Sequence, residues 1–162
     1  MKTDKIIFAA GCFWGVQYYF DEVPGVVKTT VGYTGGKTEN PTYDEVCTHT
    51  TGHAEAVLVE YDPKKVDLET LTKQFFRMHD PTQLNRQGPD VGDNYRSAIY
   101  YFDSEQHKVA VEVRNAVQKK LDTPIVTQIE RAGTFYEAEE YHQKFTQKTG
   151  IGACHIPYAP VP

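Results

Sequence analysis

The order in which this chain alternates between two hydrophobic periods restricts its fold more than any other feature. Ile6–Ala10 is a short apolar run stopped by Gly11, which predicts a buried strand. Phe13, Val16, Gln17 and Phe20 then recur at helical spacing, and Pro24-Gly25 ends that helix. Val26–Tyr33, rich in β-branched residues, and Ala54–Tyr61 predict two more strands, with Thr34–Tyr43 between them a loop by composition. Asp67 is placed to cap a helix carrying Leu68, Leu71, Phe75 and Met78 on one stripe. His79–Asn94 reads as a long polar loop, and loops of such length inside compact domains are usually functional or disordered. Ser97–Phe102 predicts a fourth strand, and Asp103 with Gln106 a capping box for a helix running to Leu121. Val126–Arg131 alternates like a strand, and Glu137–Lys148 reads as a polar helix closed by Gly150. The order is β-α-β-β-α-β followed by α-β-α. Its first six elements are those of a split β-α-β, ferredoxin-like core, so the expected class is α/β (an α+β two-layer sandwich). The expected architecture is a mixed sheet with helices packed on it.

At 162 residues, with no internal repeat or linker, the chain is expected to form one domain over 1–162. Residues 150–162 would be a flexible, irregular tail rich in Pro and Gly. A net charge of −5 argues against a nucleic-acid binder, which needs a cationic face to neutralise phosphates. No apolar run approaches the roughly 20 residues of a membrane span. Lys2 and Lys5 precede the apolar run before Cys12, as in a lipoprotein leader. That run is shorter than the roughly 7–15 residues a leader needs, and Asp4 interrupts it upstream. Cys12, Cys47 and Cys154 are an odd number at wide spacings, a poor disulfide scaffold that fits a reducing compartment. The expectation is a cytoplasmic monomer.

Cys12 falls in the turn between a buried strand and the first helix. Backbone N–H groups and the helix dipole there favour a thiolate, the nucleophilic form. Phe13 and Trp14 could wall a pocket for a small apolar group, with Gly11 and Gly15 admitting close approach. The competing reading is a buried structural thiol, the commonest fate of a free cysteine. Position alone leaves the two readings level. Glu55 shares its strand phase with Val57, Val59 and Tyr61. If that phase faces the core, burial raises the carboxyl's pKa and makes it a proton donor at neutral pH. If the strand end frays into water, Glu55 is an ordinary surface acid.

Five ordered motifs, GCFWG, NPTYDEVC, TGHAEAV, HDPTQLNRQGPDVGDNYRSAIYY and AEEYHQ, resemble those of the methionine sulfoxide reductase A family. The resemblance runs from about Ile6 through Cys154-His155. Asn94 departs from it, standing where the family usually has Gln before Tyr-Arg-Ser. The resemblance implies a thiol-dependent reductase of the S epimer of methionine sulfoxide, free or in peptides and proteins. It makes Cys12 the nucleophile on sulfur and Glu55 the donor to the sulfoxide oxygen. Tyr43 and Tyr95 would be further donors to that oxygen, and Asp90 a member of the site's polar network. Phe13 and Trp14 would hold the S-methyl group. These roles suit a sulfoxide, whose one polar oxygen asks for donors and whose methyl asks for aromatic walls.

Oxygen left on Cys12 as a sulfenic acid condenses readily with a second thiol. By the same resemblance Cys154 resolves it, and thioredoxin, or dithiothreitol in its place, reduces the disulfide with no bound cofactor. Cys47 reads as mostly structural. Three rival readings remain at this level: a zinc site, a cysteine hydrolase and a binding module. The zinc site would use Cys47, His49, His53 and Cys154-His155, but the usual zinc spacings are missed. The hydrolase would pair Cys12 with one of six histidines. A tyrosine-rich binding module would turn over no sulfoxide.

Overall fold

The computed structural model describes residues 2–150; Cys154 and the rest of the tail lie outside the described residues. Strand β1 (Asp4–Ala10) leads into helix α1 (Phe13–Asp21) and then β2 (Val26–Thr34). A single turn of helix, α2 (Tyr43–Val46), interrupts the following loop, before β3 (Ala54–Tyr61) and α3 (Leu68–Met78). The polar loop after α3 is folded, not irregular: it holds a small hairpin, β4 (Arg86–Gln87) with β5 (Asp90–Val91), and a 3₁₀ turn over Asp93–Tyr95. Then come β6 (Ser97–Tyr101), α4 (Ser104–Gln118), β7 (Gln128–Arg131), β8 (Tyr136–Glu137) and α5 (Phe145–Thr149).

Among the described residues the main sheet has six strands in the order β7-β6-β1-β3-β2-β8. The sheet is mixed: β6 and β7 run parallel and every other neighbouring pair antiparallel. Caps foreseen at Asp67 and Asp103 are present, accepting from Thr70 N and Gln106 N at 2.8 Å each. One face of the sheet (Ile6, Phe8, Val57, Val59, Tyr61, Ile99) meets Val16, Tyr19 and Phe20 of α1, Leu71, Phe75 and Met78 of α3, and Ala110 and Val113 of α4. The opposite face combines Ile7 and Tyr100 with the small residues Ala9, Ala54, Ala56 and Ala98, under Phe102, Ala132 and Phe135.

The predicted helix over Glu137–Lys148 does not form as one element. The chain instead runs as β8, a 3₁₀ turn over Glu140–His142 and the short α5. Lys144 breaks it with a left-handed φ of 59°. The side chains around that break make tertiary bonds that a continuous helix would point elsewhere. Gln143 acts as a substitute strand residue: its Oε1 accepts from Val31 N and its Nε2 donates to Val31 O, both at 3.0 Å. Lys144 Nζ donates to Asp21 Oδ2 at 2.6 Å and to Thr29 Oγ1 at 2.9 Å.

Candidate active site

The central position of β1 assembles the site. Because β1 is antiparallel to both neighbours, its C-terminal end is flanked by the N-terminal ends of β3 and β6. Ala10 pairs with Ser97, which brings Asn94 and Tyr95 alongside Cys12. The β1–β3 register (Phe8 opposite Val57), continued two residues, brings Glu55 level with Ala10. Gly11, at φ 96°, turns the chain sharply between strand and helix. Cys12 therefore stands as the N-cap of α1, its own backbone non-helical at φ −56°, ψ 122°.

Glu55 faces the core in the strand phase read from the sequence and is 1% exposed. Phe13 N donates to its Oε1 at 3.3 Å and Asn94 Nδ2 to its Oε2 at 3.2 Å. Burial outweighs both bonds, and with a smaller push from Asp90 the carboxyl rises to about 8. At neutral pH it is mostly a neutral acid.

Cys12 corrects the expectation of a helix-stabilised thiolate. The N–H groups of Trp14 and Gly15 do act on the sulfur and lower its pKa, as the helix start predicts. Burial first, and the charge of Glu55 when ionised second, push the thiol well above its ordinary value. A site this dry holds one neutral thiol and one neutral carboxyl, not an ion of either kind.

Tyr43 and Tyr95 are both half-buried beside these groups. Their phenols are pushed far above the usual range, by burial first and then by Glu55. Asp90, on the hairpin, acts electrostatically on Cys12, Glu55 and Tyr95 alike. Buried Gln87 fixes that hairpin, its Oε1 accepting from Asp80 N at 3.1 Å. Cys47 lies on the same rim, its thiol hydrogen-bonded with the Tyr43 phenol. His53 is committed elsewhere: Nδ1 accepts from Gly36 N at 3.0 Å, leaving Nε2–H to donate to Thr38 O at 2.7 Å. A zinc site would have to break both bonds.

Phe13 is buried, while Trp14 is partly open. The indole stacks on Phe145 (centroids 3.8 Å apart) and Tyr43 packs over His142 at 4.4 Å. Sequence reasoning gave His142 no role. Trp14 Nε1 donates to its Nδ1 at 2.8 Å, so the neutral ring carries its proton on Nε2. Burial holds its pKa below the usual histidine value despite the charge of Glu139, and Nε2 has no partner among the described residues. Glu139 was missed too: Tyr33 Oη donates to Oε1 at 2.8 Å and Tyr43 N to Oε2 at 2.9 Å, so it anchors the start of α2. The AEEYHQ motif was the available signal, but a helical reading of it hid which side chains turn inward. Cys154 lies outside the described residues.

One thiol and one neutral carboxyl joined through Phe13, beside two phenols and an aromatic wall, are what the fold brings together here. The family model described as peptide methionine sulfoxide reductase matches residues 4–161. The chain belongs to the peptide methionine sulfoxide reductase family. Among members of the family, it is 54% identical over 153 residues to the peptide methionine sulfoxide reductase MsrA of Clostridium acetobutylicum, covering 94% of each chain. Methionine sulfoxide reductase A of Corynebacterium diphtheriae superposes with a TM-score of 0.89 at 41% identity, covering 96% of this chain and 84% of that one. Mxr1 from Saccharomyces cerevisiae, solved in complex with Trx2, matches with a TM-score of 0.65 at 29% identity over 89% of this chain and 85% of that one.

Proposed function

We propose that this oxidoreductase reduces the S epimer of methionine sulfoxide, free and protein-bound, with Cys12 as nucleophile and Glu55 as proton donor. The observation that carries the reading is the buried, protonated Glu55 bonded to Phe13 N–H, one residue from Cys12. A sulfoxide oxygen leaves sulfur only if it is protonated, and a carboxyl near 8 keeps its proton at working pH while still able to give it. Tyr43 and Tyr95, held as phenols, donate to the same oxygen, and Asp90 orders the polar side. Phe13 and Trp14 take the S-methyl group. Sulfur of Cys12 bonds to the substrate sulfur as the S–O bond breaks, and the oxygen leaves as water with one proton from the thiol and one from Glu55. A water molecule then attacks the Cys12 sulfur, the S–S bond breaks to release methionine, Cys12 is left as the sulfenic acid, and the second proton of that water returns to Glu55 for the next cycle.

Cys154 then condenses with the sulfenic acid, releasing water and forming the Cys12–Cys154 disulfide. The motif resemblance and the chemistry of sulfenic acids support this step. Thioredoxin returns the disulfide to two thiols, a reading supported by the yeast relative's complex with Trx2. The fold is read as a single ferredoxin-like domain with a monomeric, cytoplasmic life. Supporting this reading, β6-β1-β3-β2 are antiparallel neighbours in the chain order β1-α1-β2-β3-α3-β6, and no helix of the described residues is long and apolar enough to cross a membrane.

The test is single-turnover methionine release from racemic sulfoxide, followed by mass spectrometry of the protein. The parent should consume the S epimer alone and acquire one Cys12–Cys154 disulfide, whereas Cys12→Ser should release no methionine even with excess dithiothreitol. Residual release by Cys12→Ser, or equal use of both epimers, would sink the reading.

A further inference from the structure

Trp14 is the only tryptophan in the chain, and it stands in the first turn of α1 with its side chain partly open. An indole in that position has several staggered rotamers open to it, and one that swings freely cannot mark the edge of a pocket. Two side chains from one distant segment fix it. His142 takes its edge: Trp14 Nε1–H donates to Nδ1 at 2.8 Å. Phe145 takes its face, stacked at 3.8 Å between centroids with the planes 17° apart. The segment carrying both is itself fastened, by the two bonds of Gln143 to Val31 and by Lys144 Nζ on Asp21.

His142 is wholly buried in aromatic company, with the rings of Tyr141 at 4.0 Å, Tyr43 at 4.4 Å and Phe13 at 5.2 Å. A phenyl ring would fill such a place at no polar cost, whereas imidazole buries an Nε2–H that has no partner among the described residues. What imidazole adds is the acceptor at Nδ1, and burial keeps the ring neutral so that this lone pair is available. We propose that His142 and Phe145 are positioning residues that clamp the Trp14 indole at the methyl pocket and so set the size of the group accepted on the sulfoxide sulfur. This rests on the reading of Trp14 as a wall for the S-methyl group. Selectivity is thereby set from the segment after β8, through a side chain of α1.

The experiment compares the S epimers of methionine sulfoxide and ethionine sulfoxide, which differ by one methylene on sulfur. Single-turnover rates over a range of sulfoxide give a limiting rate and a half-saturating concentration for each. The parent should favour the methyl compound by about tenfold or more, the usual worth of one methylene in an apolar pocket. His142→Phe keeps a ring but removes the acceptor. Its half-saturating concentration for methionine sulfoxide should rise about fivefold, the size of one lost hydrogen bond, with the limiting rate kept. Reduction of the ethyl compound should change by less than about twofold, so the preference shrinks. Phe145→Leu, at a half-buried position, should shrink it in the same direction. His142→Asn, whose Oδ1 offers an acceptor near the place of Nδ1, should restore most of it. Emission from the single tryptophan should shift to the red, and its anisotropy decay faster, in His142→Phe and Phe145→Leu as the indole meets water and swings. A merely structural defect would slow both substrates alike and leave their ratio unmoved. A parental ratio in both His142→Phe and Phe145→Leu overturns the proposal; should His142→Phe fail to fold, the ratio in Phe145→Leu decides alone. If Trp14→Ala keeps the parental ratio, the reading of Trp14 fails and the proposal with it. A reduced ratio in Trp14→Ala beside parental ratios in the other two variants overturns the proposal alone.

Discussion

Glu55 and Glu139 flank one phenol, yet they end in opposite protonation states. Tyr33 stands across the strand pair from Glu55 and donates its hydroxyl to Glu139. Glu55 accepts one backbone N–H, from Phe13, whereas Glu139 accepts from Tyr43 N–H and from its own. Glu55 is sealed under α1 with only an amide as its second donor, and burial drives its pKa to about 8. Glu139 is only partly covered: its burial raises its pKa too, but the Tyr43 N–H, its own N–H and the Tyr33 hydroxyl outweigh that and hold it below the usual value. The balance decides the difference: burial exceeds the hydrogen bonds at Glu55, and the hydrogen bonds exceed burial at Glu139. One carboxyl is held neutral and the other as an anion that ties α2 to the segment after β8.

The sharpest way to break this contrast is to remove each side chain and read the burst of methionine. Glu55→Ala should slow it by about 10²–10⁴, the usual reach of a general acid, and Glu55→Gln, which keeps a donor, should lose less. Glu139→Ala should slow it less than about tenfold, since Glu139 acts through its bonds to Tyr33 and Tyr43 N–H. Equal losses would mean the two carboxylates share one role.

A second contrast lies in pH. Glu55 must be protonated to give its proton, so the burst rate should hold through neutrality and fall as pH rises past about 8. Glu139→Gln should leave that limb in place. A rate that instead climbs through pH 8 would point to thiolate formation as the controlling titration.

Stability should titrate in opposite senses at the two sites. For Glu55, whose folded pKa is raised from 4.5 to about 8, the stabilisation is fully present below 4.5 and lost as pH rises toward 8. The cost at pH 8 is on the order of a few kcal/mol, and Glu55→Gln should flatten that decline in thermal midpoint. For Glu139, whose folded pKa is lowered, the contribution is present above 4.5 and lost on acidification through its folded value. The smallest effect expected is the destabilisation by Glu139→Gln at pH 7, about 1 kcal/mol in chemical denaturation. It should shrink at acid pH.

Much of this could be read from residues in order. The core phase of Glu55 was legible because a strand has a period of two, so Val57, Val59 and Tyr61 fix the face of their neighbour. The place of Cys12 was legible because Gly11 stops an apolar run just before a helical stripe begins. The His79–Asn94 loop was read as functional or disordered; it is folded, and Asp90 and Asn94 from it, with Tyr95 just after it, lie beside Glu55 or Cys12. Its internal hairpin was not legible, because strands of two residues have no period to detect.

The sequence by itself determined the succession of the longer elements, β1, α1, β2, β3, α3, β6, α4 and β7, and the core phase of Glu55's strand. Local rules suffice there, since each depends on spacings of two to four residues along one chain. Only the tertiary structure decided the protonation state of Cys12, because the helix start lowers its pKa while burial by distant segments raises it more. Likewise only the tertiary structure revealed Glu139 and His142, which lie 96 positions from Tyr43 and 128 from Trp14 in the chain, and reach them because Gln143 and Lys144 fasten their segment to β2 and α1. Solvent exclusion and long-range hydrogen bonds are properties of the packed whole, and no window of sequence contains them.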